Sequence, residues 1–433
     1  MGGSRPPDRL KDARAAFEHG QYERVLQLVE PLLQSEGASI DARRLKIKSL
    51  VHVGRPADGL KEYDGLVALT GREDKGLLRE VAVGFIPPLL KDMREQMRGA
   101  AYTALKEMDS DEAIPYLEDG LSDGAGLVRA LAVEGLGRLV SGRRSARLRK
   151  AVEDQAAIVR TAALKALGRS QDRSNISIVE SGLRDEQPGV RVMASGALVK
   201  LGRNEALIRI REAAAARNPE ERAAALRVLG DLHDRGAMPI VQKALKDDQP
   251  SVRGAAAAAL GDLGDHAGAA ALSTLLDDPI PAVRATAAVS LGEMQAVESK
   301  PALKKALSDG NPAIRAAAAS ALLQLGTPFS EVSDVIRNLS HNTEPGIRAA
   351  AARTLAKSHD RDALEMLQML LDDPLPRPRI AASRALGQIG GEAVIALLKK
   401  ALYDQDDAVR ATAGGALGRI LSARPDQTLS KPQ

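Results

Sequence analysis

The chain has 433 residues, 27% of them charged, with a formal net charge of +4 and no cysteine. The lack of cysteine excludes disulfides, thiolate metal sites and a cysteine nucleophile, and so small a basic excess does not by itself mark a nucleic-acid binder. Apolar residues make up 44% but aromatics only 2%, with no tryptophan, so the core must be built from Ala, Leu, Val and Ile on closely packed helices rather than on sheets.

The N-terminal stretch MGGSRPP lacks the apolar core of a signal peptide, and no run of about 18 apolar residues occurs that would span a membrane. A cytoplasmic location is therefore expected, unless an export leader has been removed. In residues 8–70 the segments ARAAFEHGQYERVLQLVEPLL and ARRLKIKSLVHVGRPADGLKEYDGLVAL place Gly20 above Gly54, a period of 34. Together with Phe17 and Tyr22 this resembles tetratricopeptide repeats, although Gly59 stands where a packing Ala is usual. The resemblance implies two helical hairpins, too few to stand alone and so stacked directly on the next helices of the chain. Pro87, Pro88 and the 19-residue step from Arg79 to Arg98 predict an irregular junction.

From Arg98 onward an arginine recurs every 31 residues, at 129, 160, 191, 222, 253, 284 and 315, then after one step of 33 at 348, 379 and 410. A fixed period of this size means that each unit buries its apolar face against its neighbours, so function belongs to a long surface and not to a pocket. In the unit at 247–278, Val252, Ala256, Leu260 and Leu263 form the stripe of a first helix, with Gly261 and Gly264 read as its cap and turn. A second helix is expected from about Ala267 to Leu276, with Leu272, Leu275 and Leu276 inward. Pro188, Pro219, Pro250, Pro281, Pro312 and Pro345 open successive first helices, and Asn218 and Asn311 supply caps.

Six residues before most of these arginines lies an acid. The pairs Asp123/Arg129, Asp154/Arg160, Asp185/Arg191, Asp247/Arg253, Asp278/Arg284, Asp309/Arg315, Asp373/Arg379 and Asp404/Arg410 read as a structural ladder of charge-assisted hydrogen bonds. Glu73, Ala216 and Asn342 replace the Asp elsewhere. The pattern D-x-x-P-x-V-R-x-x-A-x-x-A-L-G-x-L followed by A-x-x-x-L-x-x-x-L-x-D resembles HEAT repeats, specifically the short Ala-rich type of phycobilisome-lyase-like proteins. That implies an all-α, right-handed superhelical solenoid: a HEAT-like array of ten or eleven units over 71–423, capped by the two tetratricopeptide-like units, with a disordered polar tail over 424–433.

Chemistry is sparse. The six histidines, among them His233 and His266 in turns, form no His-Glu dipeptide and no metal-ligand spacing. That argues against the di-iron chemistry of HEAT-like deoxyhypusine hydroxylases, and no P-loop, dinucleotide fingerprint or nucleophile elbow is present. Neither a cofactor, a metal nor a catalytic residue is expected. The patterned surface signal is a column on the second helices, where Arg149, Lys150, Arg211, Lys243, Lys304, Lys305, Arg337, Lys399 and Lys400 outnumber the acids. If second helices line a concave face, as in HEAT solenoids, these cations are candidate contacts for an acidic segment of a protein partner. Arg143, Arg144, Arg147, Arg149 and Lys150 make the densest cluster. The expected function is a non-enzymatic protein-binding scaffold or adaptor. The alternatives are a lyase-like enzyme or accessory chaperone for a chromophore-bearing or otherwise modified protein, and nucleic-acid binding along the basic column, which the scarcity of aromatics makes the least favoured.

Overall fold

In the computed structural model, residues 6–34 and 39–422 are described, and among them every regular element is helical. The polar tail expected from residue 424 lies outside the described residues. No helix among them is long and apolar enough to cross a membrane.

The local rules of the repeat hold as expected. The first helix of the 247–278 unit spans Pro250–Leu263 and buries Val252, Ala256, Leu260 and Leu263. The second is short: a 3-10 turn at His266–Gly268, an α-helix at Ala269–Thr274 and a closing 3-10 turn at Leu275–Asp277, with Leu272, Leu275 and Leu276 buried. Asn218 and Asn311 cap their helices through bonds from the N–H groups of Glu220 and Ala313. Gly264 ends its helix in the left-handed region, as Gly202 and Gly326 do in their repeats. The same place holds His233, Gln171 and Gln295, which adopt positive φ without being glycine. Gly261, by contrast, is no cap. It lies inside the helix and is buried, because a Cβ there would come within 2.8 Å of Ser290 on the next first helix.

That contact is general. Cβ atoms at Gly137, Gly168, Gly230 and Gly292 would each lie 2.8 Å from an atom of the alanine 29 residues on, at Ala166, Ala197, Ala259 and Ala321. A residue without a side chain lets helix backbones approach to near contact, and the missing bulk explains why so little aromatic volume suffices. Consecutive first helices therefore pack along their length, whereas consecutive second helices are bridged mainly by long polar side chains.

The chain divides into two compact units. One, Asp111–Ala385, is this stack. The other joins Met1–Ser110 to Leu386–Gln433 and so contains both chain ends. Its N-terminal part is two helical hairpins, Pro6–Glu18 with Tyr22–Leu33 and Ile40–His52 with Pro56–Thr70, followed by helices at Lys75–Val83 and Glu95–Met108 around a 3-10 turn at Pro87–Lys91. The C-terminal helix Asp407–Ile420 packs on Lys75–Val83 and Glu95–Met108. It carries Gly414, Gly415 and Gly418, all buried. A Cβ on Gly415 would lie 2.7 Å from the Ala104 carbonyl oxygen, and one on Gly418 would lie 2.9 Å from Val83.

Candidate functional site

The arginine ladder is real, with a different partner from the one six residues upstream. That upstream acid contributes its backbone carbonyl: Arg253 Nη1 donates to the carbonyls of Asp247 and Asp248 at 2.8 and 3.2 Å. The carboxylate comes from the next repeat, where Arg253 Nε and Nη2 bind Asp278 at 2.7 and 3.0 Å. Arg129 and Asp154, Arg160 and Asp185, Arg222 and Asp247, Arg284 and Asp309, and Arg348 and Asp373 repeat the two-pronged pairing, each 25 residues apart. Every such Asp also accepts the N–H two residues on, which turns the chain into the following helix.

The carboxylate pairing expected within each repeat is therefore corrected throughout. Arg129, Arg160, Arg191, Arg284 and Arg315 reach the backbone carbonyls of Asp123, Asp154, Asp185, Asp278 and Asp309. The last two pairs need the same correction. Arg379 is buried and donates to the Asp373 carbonyl at 2.9 Å, while the Asp373 carboxylate is taken by Arg348 of the repeat before. Arg410 donates to the Asp404 carbonyl at 2.6 Å; its carboxylate partner is Asp407, one turn away on its own helix, and its guanidinium lies over the Phe85 ring. The reason for the carbonyl contacts is common to all: an arginine on the first turn of a helix points back along the entering loop, where carbonyls are in reach. Where the neighbouring repeat carries the junction Asp, the far fork extends across to it.

The ladder thus ties repeat to repeat. Arg160 holds the Asp185 carboxyl below the usual carboxylate range, and Arg253 does the same for Asp278. For Asp154, burial pushes upward, and Arg129 with the Ala156 N–H outweighs it. Two rungs lack this acid. Arg191 faces Ala216 where Asp would stand and, besides its carbonyl contacts, reaches Glu221 at 3.8 Å, while Asn342 stands in place of the Asp that would meet Arg315, which keeps its carbonyl contacts to Asp309 and Gly310.

The second-helix column is largely neutralised by its own neighbours. Arg149 binds Asp172, Arg211 binds Asp234, Lys304 binds Glu331, Lys305 binds Asp277 and Arg337 binds Asp334. Lys399 is a structural residue of the chain-end unit: it pairs with Asp64 at 2.7 Å and Glu73 at 3.3 Å and lies over the Tyr63 ring. Lys150, Lys243 and Lys400 are exposed, the last of them engaged at the end of Ile395–Ala401. The 143–150 cluster also disperses into structural contacts, since Arg143 donates to the carbonyls of Gly137, Arg138 and Arg169, and Arg147 pairs with Asp119. First helices approach one another more closely than second helices do in the Asp111–Ala385 stack.

That first-helix face holds residues that the second-helix pattern does not point to. It is formed by the residues two before and two, five and nine after each junction arginine, and it changes character from repeat to repeat. Leu127 and Ile158 are exposed at equivalent places in adjacent repeats, 55% and 52%. Farther along, Lys165, Arg169 and Lys200 converge on Asp231. Next come Asp262 and Glu293, which make no ion pair among the described residues; desolvation and neighbouring acid charge raise both carboxyls. Arg353, Lys357 and Arg377 lie beyond them, all exposed. The signal is legible in the sequence once the period is set. Aligning the repeats on the arginine shows these positions varying while the ladder stays fixed. No group of acids and histidines suited to a metal occurs among the described residues.

Glycine-tight stacking and a repeat-to-repeat ladder define an all-helical repeat protein of the solenoid class. The sequence model for HEAT repeats matches residues 83–168, 145–218, 209–281, 269–342 and 332–418, and the chain belongs to the HEAT-repeat family. The match leaves the two N-terminal hairpins outside it. No curated protein matches in sequence. Among solved structures, the chain is similar to human deoxyhypusine hydroxylase in complex with glycerol, at 22% identity over 58% of this chain and 97% of that one, with a TM-score of 0.28. It is similar to the complex of CpcE and CpcF of phycocyanin lyase from Nostoc at 19% identity over 60% and 92%, TM-score 0.36. A Kap121p mutant matches at 14% identity over 92% of this chain and 54% of that one, TM-score 0.37. None of these likenesses bears on function.

Proposed function

We propose that the chain is a non-enzymatic protein-binding scaffold whose main recognition surface is the first-helix face of the Asp111–Ala385 unit. One observation carries this reading: the positions that hold the repeats together recur, while the solvent positions of the first helices change along the stack from exposed apolar residues to a cationic group around Asp231, then to acids and then to arginines and a lysine. Such an array suits an extended partner contacted by successive repeats, each contributing a modest, chemically distinct patch. The N-terminal hairpins are in our reading tetratricopeptide-like, which is supported by the Phe17, Tyr22 and His52 rings packed at 4.3–5.8 Å beside the turns at Gly20 and Gly54.

The test is affinity capture with nuclease treatment, comparing wild type with a first-helix variant, R227E/D262K/E293K, and a second-helix variant, K150E/K243E/K304E/K305E. Lys399 is left intact because the chain-end unit uses it. A protein retained by wild type and by the second-helix variant, and lost from the first-helix variant, is expected. Loss from the second-helix variant alone would move the site to that column. Recovery of nucleic acid only, or turnover of a modified protein by the purified chain, would overturn the scaffold reading.

A further inference from the structure

Leu127 and Ile158 are the most exposed large apolar side chains on the first helices of the Asp111–Ala385 unit, at 55% and 52%. They occupy the same place on Gly126–Arg138 and Ala157–Arg169, one 31-residue period apart. A Cβ on Gly126 would lie 3.0 Å from that of Ala156, so the two helix starts meet and the two side chains form one patch. Leu131 and Ala162, one turn further along each helix, extend it as half-buried apolar surface. The repeats that follow carry Gly189, Glu220, Ser251, Ala282 and Ala313 at this place, none of them a large apolar residue. A contiguous apolar patch open to water marks an interaction site where a lone exposed leucine would not.

Cations border the patch on one side. Lys165 and Arg169 follow Ile158 by seven and eleven residues. They therefore share its stripe of the helix, two and three turns on, at about 10 Å or more along the axis. Both approach Asp231 Oδ1, at 3.6 and 3.9 Å, distances too long for hydrogen bonds. The residue that donates to this carboxylate is Lys200, at the end of the next first helix, Pro188–Lys200. Asp231 thus gathers the three cations in one place, while the side chains of Lys165 and Arg169 make no hydrogen bond among the described residues. Glu134 and Arg138 stand at the equivalent places beside Leu127 and are already engaged, which leaves Lys165 and Arg169 as the donors on offer. An α-helix with its side chains is about 10–12 Å across, and this matches the separation of the apolar and cationic rows.

We propose that Leu127, Ile158, Lys165 and Arg169 form the docking surface for an acidic amphipathic helix of a protein partner. It lies across the first helices, with its apolar stripe on Leu127 and Ile158 and its carboxylates on Lys165 and Arg169. This rests on the scaffold reading and names the partner's chemistry at one end of the face. The test is selection of displayed helical peptides of about 18 residues, five turns, on the full chain, followed by fluorescence anisotropy of the strongest binder. Enriched peptides are expected to carry apolar residues at helical spacing flanked by Asp and Glu, and to bind saturably, one per chain. Kd should rise by about tenfold or more, which is about 1.4 kcal/mol, in L127S/I158S and in K165Q/R169Q. Either variant decides if the other fails to fold, and K304Q/K305Q should bind as wild type does. Replacing the peptide's acids by Gln should weaken binding to wild type but not to K165Q/R169Q, as direct contact requires. Enrichment of basic or uncharged peptides, of none, or of peptides indifferent to both variants would overturn the docking surface. So would dimerisation of the chain that L127S/I158S abolishes, which would assign the patch to a second copy. The scaffold reading is decided separately, by retention or loss of the captured protein in R227E/D262K/E293K.

Discussion

Each junction aspartate does three things at once. Its carboxylate holds the arginine of the preceding repeat, the same carboxylate accepts the N–H that opens the next helix, and its carbonyl receives the arginine of its own repeat. Where Ala216 interrupts the series, Arg191 has its donors but no aspartate. Ala216→Asp should therefore complete the rung and stabilise the protein by about 1.5 kcal/mol, the lower end of the net value of a hydrogen bond to a charged group; an unchanged or lower melting temperature would contradict this. The pH dependence follows from the directions of the shifts. The ladder acids Asp185 and Asp278 are held below their unfolded values, so their contribution is complete above the ordinary carboxylate range and is lost as pH falls through the depressed values. Asp262 and Glu293 are raised and act oppositely, disfavouring the folded state at neutral pH and ceasing to do so once protonated. Melting temperature should be nearly flat from about pH 8 to about pH 5 and fall below about pH 4; D278N should start from a lower melting temperature at neutral pH and fall less steeply than wild type, because it lacks one of the acids whose protonation drives the loss.

The helices themselves were largely legible, because the 3.6-residue stripe, the proline at the first turn and the 31-residue period all agree. Val252, Leu260 and Leu272 are buried as their spacing predicts. The role of Gly261 was not legible within its own repeat. A glycine near a helix end reads locally as a cap, and only the neighbouring helix reveals that the space is taken by Ser290. The arginine partner is hidden for the same reason, since the nearest acid in sequence is six residues away and the bound carboxylate is 25 away. At Arg410 the carboxylate partner is Asp407 of the same helix, one turn away. Close helix approach is measurable with one type of substitution. Gly292→Ala adds a Cβ 2.8 Å from the Ala321 backbone and should destabilise despite the better helix propensity of alanine. Gly254→Ala, with nothing within 4 Å, should gain up to about 1 kcal/mol from propensity. Equal shifts in the two variants, measured by denaturant unfolding, would refute close helix approach as the reason for glycine.

At the scale of the molecule, the sequence foretold a repeat array but not how it ends. A terminal repeat exposed to solvent needs a polar outer face. The last helix lacks one: Ala411, Ala413, Gly414, Gly415, Ala416, Leu417 and Gly418 are all buried, and Arg79 binds the Gly418 carbonyl and the Ser422 hydroxyl. Removing residues 405–433 should uncover Leu78, Val81 and Ala82, now 0% exposed. Hydrogen exchange along Lys75–Val83 should then rise sharply, and unchanged protection would contradict the docking. The first-helix face is hard to read for a related reason. Charge on the second helices looks unbalanced in the sequence because the acids that neutralise it come from adjacent turns and repeats. The central claim, that the first-helix face meets a protein partner, is tested most directly by site-specific photocrosslinking in the native host. A photoreactive residue replaces Arg227, Ala258 or Val289 on that face, or Lys243 or Thr274 on the second helices. The account predicts one protein adduct common to the first three positions and absent from the other two; adducts confined to Lys243 and Thr274, or to nucleic acid, would contradict it.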